Sequence, residues 1–255
     1  MTTAFAFTPD LAASDILVRR FARCYGPLTA REEAVLHRLG ADQRRLEPGE
    51  RLVQEGGLCD DFFVLCEGAM HSSTLLKGGA RQILRLHHPG DLMNVTAVGW
   101  SRVAATLTAC TPVMVTSFAR QQLQAVFTDE PRLAAMLYGI CTIDNVRLND
   151  RLKSLGRTDG RARIAELLLE LQSRQNLTDG ADPDEVELFL TQGDIADAVG
   201  MTKVHVNRLL RELTTSGLIA REGRRVRLLD RPALVEACDY VDRYADMAND
   251  WLPGG

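Results

Sequence analysis

The stretch from Leu190 to Leu213 constrains this chain more than any other, because it predicts two helices joined by a tight turn. Thr191 can cap the first helix, with Asp194 as an acidic partner in the first turn. Gly200 tolerates the positive φ that is needed where this helix stops, and Thr202 can cap the second helix. A pair of helices joined by a short turn containing Gly is the helix-turn-helix signature.

The second of these helices has two chemically different faces. Its apolar face carries Val206, Leu209, Leu210 and Leu213. The opposite face carries Lys203, Val204, Asn207 and Arg208. A helix that anchors to a core on one side and presents polar side chains on the other is suited to the DNA major groove.

The residues that follow strengthen this interpretation. Leu218–Arg221 and Arg225–Leu229 predict two short strands around a turn at Glu222 and Gly223. From Lys203 to Arg231 there are eight basic and three acidic residues, a local charge of +5 in a chain whose net charge is −4. A basic winged helix in an acidic protein predicts a surface that binds DNA phosphates.

The first turn of the second helix is expected to meet base edges. Arg208 can bind guanine through two hydrogen bonds, whereas Asn207 can serve adenine or a phosphate. Val204 can only touch a thymine methyl group or fill space, and His205 meets a phosphate or has no role. The predicted DNA-binding set is Thr191, Gln192, Thr202, Lys203, Val204, His205, Asn207, Arg208, Arg224 and Arg225.

The helix-turn-helix resembles that of the Crp/Fnr family of bacterial transcription regulators. The family pattern Leu-Thr-x-x-Asp-Ile-Ala-x-x-x-Gly, then Val-x-Arg-x-Leu-x-x-Leu-x-x-x-Gly-Leu-Ile, is followed from Leu190 to Ile219. The resemblance places Lys203, Val204 and Arg208 at the family's base-contacting positions. The cyclic-AMP branch has Arg and Glu where this chain has Lys203 and Val204, which predicts a different target sequence.

The N-terminal part has the pattern of an antiparallel β-roll. Short apolar runs alternate with glycines from about Leu46 to Phe118, a pattern typical of a barrel or sandwich. The turns Glu47–Glu50, Phe63–Gly68 and His88–Asp91 resemble those of the cyclic-nucleotide-binding roll. A helix is predicted before the roll, at Ala30–Gly40.

The resemblance also locates an effector cassette, in which a Gly-Glu pair and an Arg-Ser/Thr-Ala triplet bind the cyclic nucleotide. This chain has Asn94-Val95 and Arg102-Val103-Ala104 near those positions. The ribose-binding carboxylate and the hydroxyl are missing, and each charge-assisted bond is worth about 1.5–3 kcal/mol. Tight binding of cyclic AMP is therefore not expected. Asn94 and Arg102, together with Leu148 and Asn149 on the following helix, remain weak candidates for effector binding, and Arg102 is equally well explained as a surface charge.

The cysteine pattern favours no metal centre. The six cysteines include no CxxC pair, and only Cys24 stands in the N-terminal region where the iron–sulfur branch of the family has a cluster. An iron–sulfur cluster is thus not expected, and buried inert thiols are the default. Haem stays open as an alternative, because the roll holds potential haem ligands at Cys66, Met70, His71, His87 and His88. Another nucleotide and a redox-active thiol also stay open.

A long helix is predicted to connect the two parts, beginning near Pro131. Near-heptad spacing favours a parallel dimer, while packing on the chain's own roll explains the same pattern. The predicted dimer interface is Leu133, Leu137, Ile140, Leu148, Leu152 and Leu155. The resemblance places a hinge at Gly156 and Asp159, with Asp159 capping the next helix, which is predicted at Ala162–Gln172.

The predicted fold class is α+β: a cupin-like antiparallel β-roll (1–130), a dimerisation helix and hinge (131–158), a winged helix-turn-helix (159–235) and a C-terminal extension (236–255). The extension is acidic and is interpreted as a capping helix or as a contact that competes with DNA. No segment is long enough to span a bilayer and no secretory pattern is present, so a cytoplasmic location is expected.

The function predicted is that of a homodimeric regulator, not an enzyme, that binds palindromic DNA and, from the resemblance, RNA polymerase. A small effector or redox signal in the roll could control it. A constitutive regulator that needs no ligand and a non-specific nucleoid-type protein are the alternatives.

Overall fold

The computed structural model describes residues 13–39, 42–179, 184–244 and 249–253. The helices are α1 (Ala13–Tyr25), α2 (Ala30–Arg38), α3 (Arg120–Asp129), α4 (Pro131–Arg157), α5 (Gly160–Asp179), α6 (Gln192–Val199), α7 (Lys203–Thr215) and α8 (Arg231–Cys238), with a short 3-10 helix at Val95–Val98. The strands are β1 (Asp42–Leu46), β2 (Arg51–Val53), β3 (Asp61–Glu67), β4 (Met70–Leu75), β5 (Arg81–His87), β6 (Leu92–Met93), β7 (Thr106–Ala109), β8 (Val113–Ala119), β9 (Glu185–Glu187), β10 (Ile219–Glu222) and β11 (Arg225–Leu228). Among these described helices, none is long and apolar enough to cross a membrane.

Strands β1 to β8 form a roll of two antiparallel four-stranded sheets. One sheet has the order β1-β8-β3-β6 and the other the order β2-β7-β4-β5. Residues from both sheets, among them Phe63, Leu65, Met70, Leu107 and Val115, form one buried cluster. This arrangement confirms the predicted jelly-roll class, because alternating side chains of each sheet fill the space between the two.

A helical layer covers one side of the roll. The helix α1 was not predicted from the sequence, and its Leu17 and Phe21 are buried with Phe62 and Phe118 of the sheet. The predicted helix before the roll is confirmed as α2, which ends at Arg38; Gly40 lies outside the described residues. The first half of α4 packs into the same cluster.

The C-terminal part contains α5 to α8 and a small antiparallel sheet of order β10-β11-β9. Its core is continuous with the surface of the roll, because Ile83 and Leu86 of β5 belong to the same buried cluster as Leu168 and Phe189. The roll and the C-terminal part are therefore in direct apolar contact.

The C-terminal extension is helical only at residues 236–238, the end of α8, and forms no further helix in its described part. Helix α8 ends at Cys238, with Asp239 in the left-handed region at φ 52°. The chain then continues without helix through Tyr244, where it lies against α1, α4 and α5. The interpretation as a capping helix is therefore wrong for these residues.

Candidate nucleic-acid interface

The helix-turn-helix is built from the local signals that the sequence carries. The Thr191 hydroxyl accepts a hydrogen bond from the Asp194 N–H, and the Asp194 carboxylate accepts one from the Thr191 N–H, which makes a complete capping box before α6. Gly200 ends α6 at φ 66°, a conformation that favours glycine. The Thr202 hydroxyl then caps α7 by accepting from the His205 N–H at 3.2 Å.

The two faces of α7 differ as predicted. Val206, Leu209, Leu210 and Leu213 are buried in the core. Lys203, Val204 and Arg208 are exposed, and 81% of Val204 is accessible, although it is apolar. Gly160 of α5 fixes how close α7 lies, since a Cβ there would approach Leu209 to 2.7 Å. The exposed face is thus held on a rigid support and is open to a ligand.

Side-chain contacts preorganise the polar groups on this face. Arg208 Nη1 donates to Glu212 Oε1 at 2.5 Å, and Arg208 Nη2 lies 2.9 Å from His205 Nε2. Asn207 Nδ2 donates to the Gln192 side-chain oxygen at 2.9 Å, which joins the two helices of the motif. His205 is therefore placed to orient Arg208, a role that the sequence did not suggest.

The wing extends the basic surface. Strands β10 and β11 pair with Glu222 opposite Arg225, and Gly223 adopts φ 60° in the turn between them. Arg224 and Arg225 are exposed at this turn. Their guanidinium groups add positive charge beside α7, which is what phosphate contacts require.

The polar residues at the predicted effector-binding positions form hydrogen bonds within the chain. Asn94 lies in the left-handed region at φ 56°, and its amide donates to the Asp61 carbonyl at 2.8 Å. Arg102 is exposed, and its Nη1 donates to the Gly56 carbonyl at 2.8 Å. Leu148 and Asn149 lie on an exposed face of α4, where the Asn149 amide donates to Asn145. These contacts give Arg102 a structural role that needs no phosphate.

Isothermal titration calorimetry with cyclic AMP is expected to give no binding at micromolar concentrations, because the groups that hold the ribose and phosphate are absent or engaged. Losing two charge-assisted bonds removes about 3–6 kcal/mol, which turns micromolar affinity into about 0.1 mM or weaker. Low-micromolar binding that also tightens DNA affinity would contradict this.

Three of the five potential haem ligands in the roll, Cys66, His71 and His88, make other contacts. Cys66 Sγ donates to the Val64 carbonyl, and burial raises the pKa of this thiol to about 12. His88 makes an edge contact with Phe189, and His71 lies 3.4 Å from Arg81. Among the described residues, no group of three or more His, Cys, Asp or Glu side chains is placed to hold a metal ion. His88 therefore belongs to the contact between the roll and the C-terminal part, whereas His71 lies against Arg81 within the roll.

The connecting helix has two distinct apolar faces, and only one is free. Leu133, Leu137 and Ile140 are buried in the chain's own core, so the prediction that they contact a partner is wrong. Leu155 is half-buried near Gly200. The accessible stripe of α4 consists instead of Tyr138, Cys141, Asn145, Leu148 and Leu152, at spacings of three and four residues.

The break after the connecting helix lies slightly later than predicted. Gly156 is part of α4, which continues to Arg157. Asp159 Oδ1 accepts a hydrogen bond from the Ala162 N–H at 2.9 Å and so caps α5. The chain therefore turns at Thr158 and Asp159.

Charged contacts fix the position of the helix-turn-helix on the roll. Arg81 of β5 binds Asp194 at 2.5 Å and Asp197 at 2.7 Å. Arg151 Nη2 donates to the carbonyls of Ile83 and Ala198, at 2.7 Å each, so α4 bridges the roll and α6. Burial by itself raises the pKa of Asp194, but hydrogen bonds from Thr191 and Arg81 lower it below its usual value. The sequence did not reveal these contacts.

A β-roll joined by a long helix to a winged helix-turn-helix with an open face defines a class of protein, the DNA-binding transcription regulators. Two family models match the chain. The cyclic nucleotide-binding domain matches residues 43–130, and the Crp-like helix-turn-helix domain matches residues 162–237.

Relatives agree with this assignment. The chain is 30% identical over 224 residues to the nitrogen fixation regulation protein FixK of Bradyrhizobium diazoefficiens. The alignment covers 88% of this chain and 92% of the relative. It is 24% identical to the fumarate and nitrate reduction regulatory protein of Escherichia coli, over 80% of this chain and 81% of that one. The structure of FixK2 from Bradyrhizobium japonicum superposes with a TM-score of 0.72 at 25% identity, over 79% of this chain and 99% of that one. This chain belongs to the Crp/Fnr family of transcription regulators.

Proposed function

We propose that this regulator works as a homodimer that reads a palindromic DNA site through α7 of each protomer. The observation that carries the proposal is the open face of α7, on which Val204 and Arg208 are exposed above a buried apolar anchor. An exposed valine at the start of a helix that is otherwise anchored suits contact with a thymine methyl group.

The side chains divide into two groups by what they can contact. Lys203, Val204 and Arg208 are the proposed base readers, since they project from the first turns of α7. The proposed phosphate contacts and helpers are Thr191, Gln192, Thr202, His205, Asn207, Arg224 and Arg225. Arg208 is the strongest candidate for a guanine, because a guanidinium can donate two hydrogen bonds to O6 and N7.

The free stripe of α4 supports the dimer. Leu148 is 47% exposed and Leu152 is 71% exposed, one helical turn apart. Tyr138, Cys141 and Asn145 continue the same face at heptad spacing. A symmetric pair of such helices would bury this stripe and place two recognition helices about 34 Å apart, one turn of DNA.

The control of this activity is proposed to be independent of cyclic AMP. Arg102 and Asn94 are engaged by backbone carbonyls, and the helix-turn-helix is held on the roll by direct contacts through Arg81 and Arg151. These features favour a regulator that binds DNA without a diffusible ligand. We propose that it acts in the cytoplasm, where it contacts RNA polymerase as family members do.

Selection of DNA from a random pool tests the proposed function. We expect enrichment of an inverted repeat whose half-sites are centred about 10 base pairs apart, with affinity that falls steeply with salt because several phosphates are neutralised. No cyclic nucleotide should be needed. Enrichment of no sequence, with equal affinity for all DNA, would instead indicate a nucleoid-type protein.

A further inference from the structure

The segment Asp239–Tyr244 follows the winged helix-turn-helix and enters a cleft between α1, α4 and α5. We call this the interdomain cleft; it is lined by Arg20, Arg147, Ser173 and Arg174. The matched helix-turn-helix domain ends at residue 237, so the segment lies beyond it. A partly open pocket of about 60 Å³, lined by Arg147, Ser173, Arg174 and Tyr244 among others, lies beside the segment.

The ring of Tyr244 is surrounded by three guanidinium groups in this cleft. The Cζ atoms of Arg20, Arg147 and Arg174 lie 4.9, 5.5 and 4.9 Å from its centroid. Each arginine comes from a different helix: α1, α4 or α5. An aromatic face attracts cations within about 6 Å, most strongly where water is excluded. The Tyr244 side chain thus contacts α1, α4 and α5 together.

The phenol oxygen of Tyr244 adds directional contacts. It accepts hydrogen bonds from Arg20 Nη2 and Arg147 Nη1, both at 3.1 Å. The arginines here are more numerous than the acids, because Arg20, Arg85, Arg147 and Arg174 surround the carboxylates of Asp91, Asp144 and Glu170. The ring face and oxygen of Tyr244 therefore offset positive charge that the carboxylates leave unbalanced.

The residues before Tyr244 hold the segment to two helices. Asp242 Oδ2 accepts from the Ser173 hydroxyl of α5 at 3.0 Å. Arg243 makes a bidentate pair with Asp150 of α4, at 2.7 and 2.8 Å. The segment consequently links α4, which carries the free apolar stripe, to α5 of the DNA-binding part.

We propose that Asp239–Tyr244 is a tethered ligand of the interdomain cleft. It fixes the DNA-binding part against the roll and α4, in the place of a small molecule. Since the orientation of α7 relative to α4 sets the distance between the two recognition helices of a dimer, the segment sets the half-site spacing. The expected effect on DNA binding rests on the proposed function, whereas the expected effect of the segment on domain orientation does not.

The test compares Tyr244→Ala and Tyr244→Phe with Val241→Ala, a matched change at an exposed position of the same segment. The first readout is native-state cleavage by trypsin at Arg157 and Arg161, which flank the break between α4 and α5. We expect cleavage of Tyr244→Ala to be faster by about tenfold or more, because local opening is no longer opposed by the segment. Tyr244→Phe keeps the ring and should lie between Tyr244→Ala and wild type, while Val241→Ala should match wild type.

The second readout is DNA binding to the selected palindrome and to a single half-site. Tyr244→Ala should bind the palindrome about tenfold or more weakly, because the two half-sites are no longer engaged together, yet bind the half-site as wild type does. A chain ending at Cys238 should behave like Tyr244→Ala, and a synthetic peptide of residues 239–255 should restore slow cleavage.

Wild-type cleavage rates in both Tyr244→Ala and the shortened chain would overturn the inference. So would tighter palindrome binding by either protein, which would make the segment inhibitory. If wild type shows no palindrome preference, the proposed function fails, and cleavage with peptide rescue still decides whether the segment holds the domains.

Discussion

Replacing Asp91 by Asn is expected to lower the free energy of unfolding by about 3–5 kcal/mol, the usual result of removing one member of a buried ion pair. Asp91 lies in the turn between β5 and β6, and its side chain is 1% exposed. Its carboxylate pairs with Arg174 of α5 and lies 3.4 Å from Arg20 of α1. Asparagine keeps the shape but removes the negative charge that faces the buried guanidinium groups of Arg174 and Arg20. Urea titration of both proteins measures the loss.

The matched control for this change is Asp60→Asn. Asp60 is also paired with an arginine, Arg120 at 3.4 Å, but its side chain is 55% exposed. Exposed pairs contribute about 0–1 kcal/mol, so this variant should stay close to wild type. Equal effects of the two substitutions would show that the Asp91 pairs do not hold the domains together.

The pH dependence of the free energy of unfolding should separate the contribution of the buried histidines from that of Asp91. Burial lowers the pKa of His88 to about 3 and that of His87 well below its usual value, so stability should fall as the pH drops below about 6.5, where unfolded histidines take up protons. Burial alone would raise the pKa of Asp91, but Arg174 and Arg20 hold it well below its usual range. The contribution of Asp91 to the free energy of unfolding is present above about pH 3.9 and is lost as the pH falls further. The Asp91→Asn variant should therefore keep the first loss and show a smaller second one, because Asp194, whose pKa is also lowered, still loses its contribution in acid.

Replacing Leu148 and Leu152 together by Glu is expected to convert the proposed dimer into a monomer and to weaken palindrome binding by about 100-fold or more, since linked half-sites gain 10²–10⁴ in affinity. The reason is that both leucines lie on the free stripe of α4, where four glutamates would meet in the proposed interface. Sedimentation measures the oligomeric state, and DNA titration measures the affinity.

The control for the dimer prediction is Leu75→Glu with Leu76→Glu. These leucines are 66% and 59% exposed, at the end of β4 and just after it. The control variant should stay dimeric and bind DNA normally. A Leu148/Leu152 variant that remains dimeric with unchanged affinity would contradict the interface.

The helix-turn-helix could be predicted from sequence because its determinants are local. The caps at Thr191 and Thr202 and the turn at Gly200 act within a few residues, and the buried face of α7 follows the helical period. The roll was predictable for a similar reason, since short strands and glycine turns alternate along the chain.

The predicted dimer interface of α4 is wrong at its three buried residues for a physical reason. A helical period shows that a face is apolar but does not show what covers it. The roll covers Leu133, Leu137 and Ile140, while the exposed stripe includes polar Asn145, which hydrophobicity alone does not mark. The buried and the exposed apolar residues therefore lie on different faces of α4.

The contacts between domains could not be predicted at all. Arg20 and Tyr244 are 224 residues apart in sequence, and Arg174 and Asp91 are 83 residues apart. Neither pair belongs to a motif, and charged residues are normally expected at the surface. Only the fold brings these side chains together.

Base-resolved binding by the Arg208→Ala variant tests the central claim most directly. The selected palindrome and a set of single-base variants of it are titrated with wild type, Arg208→Ala and Arg211→Ala, an exposed arginine three residues further along α7. We expect Arg208→Ala to lose about 1–3 kcal/mol and to stop discriminating at one base pair of each half-site, whereas Arg211→Ala keeps the wild-type preference. If Arg208→Ala instead weakens the palindrome and random DNA to the same extent, α7 does not read sequence and the account is wrong.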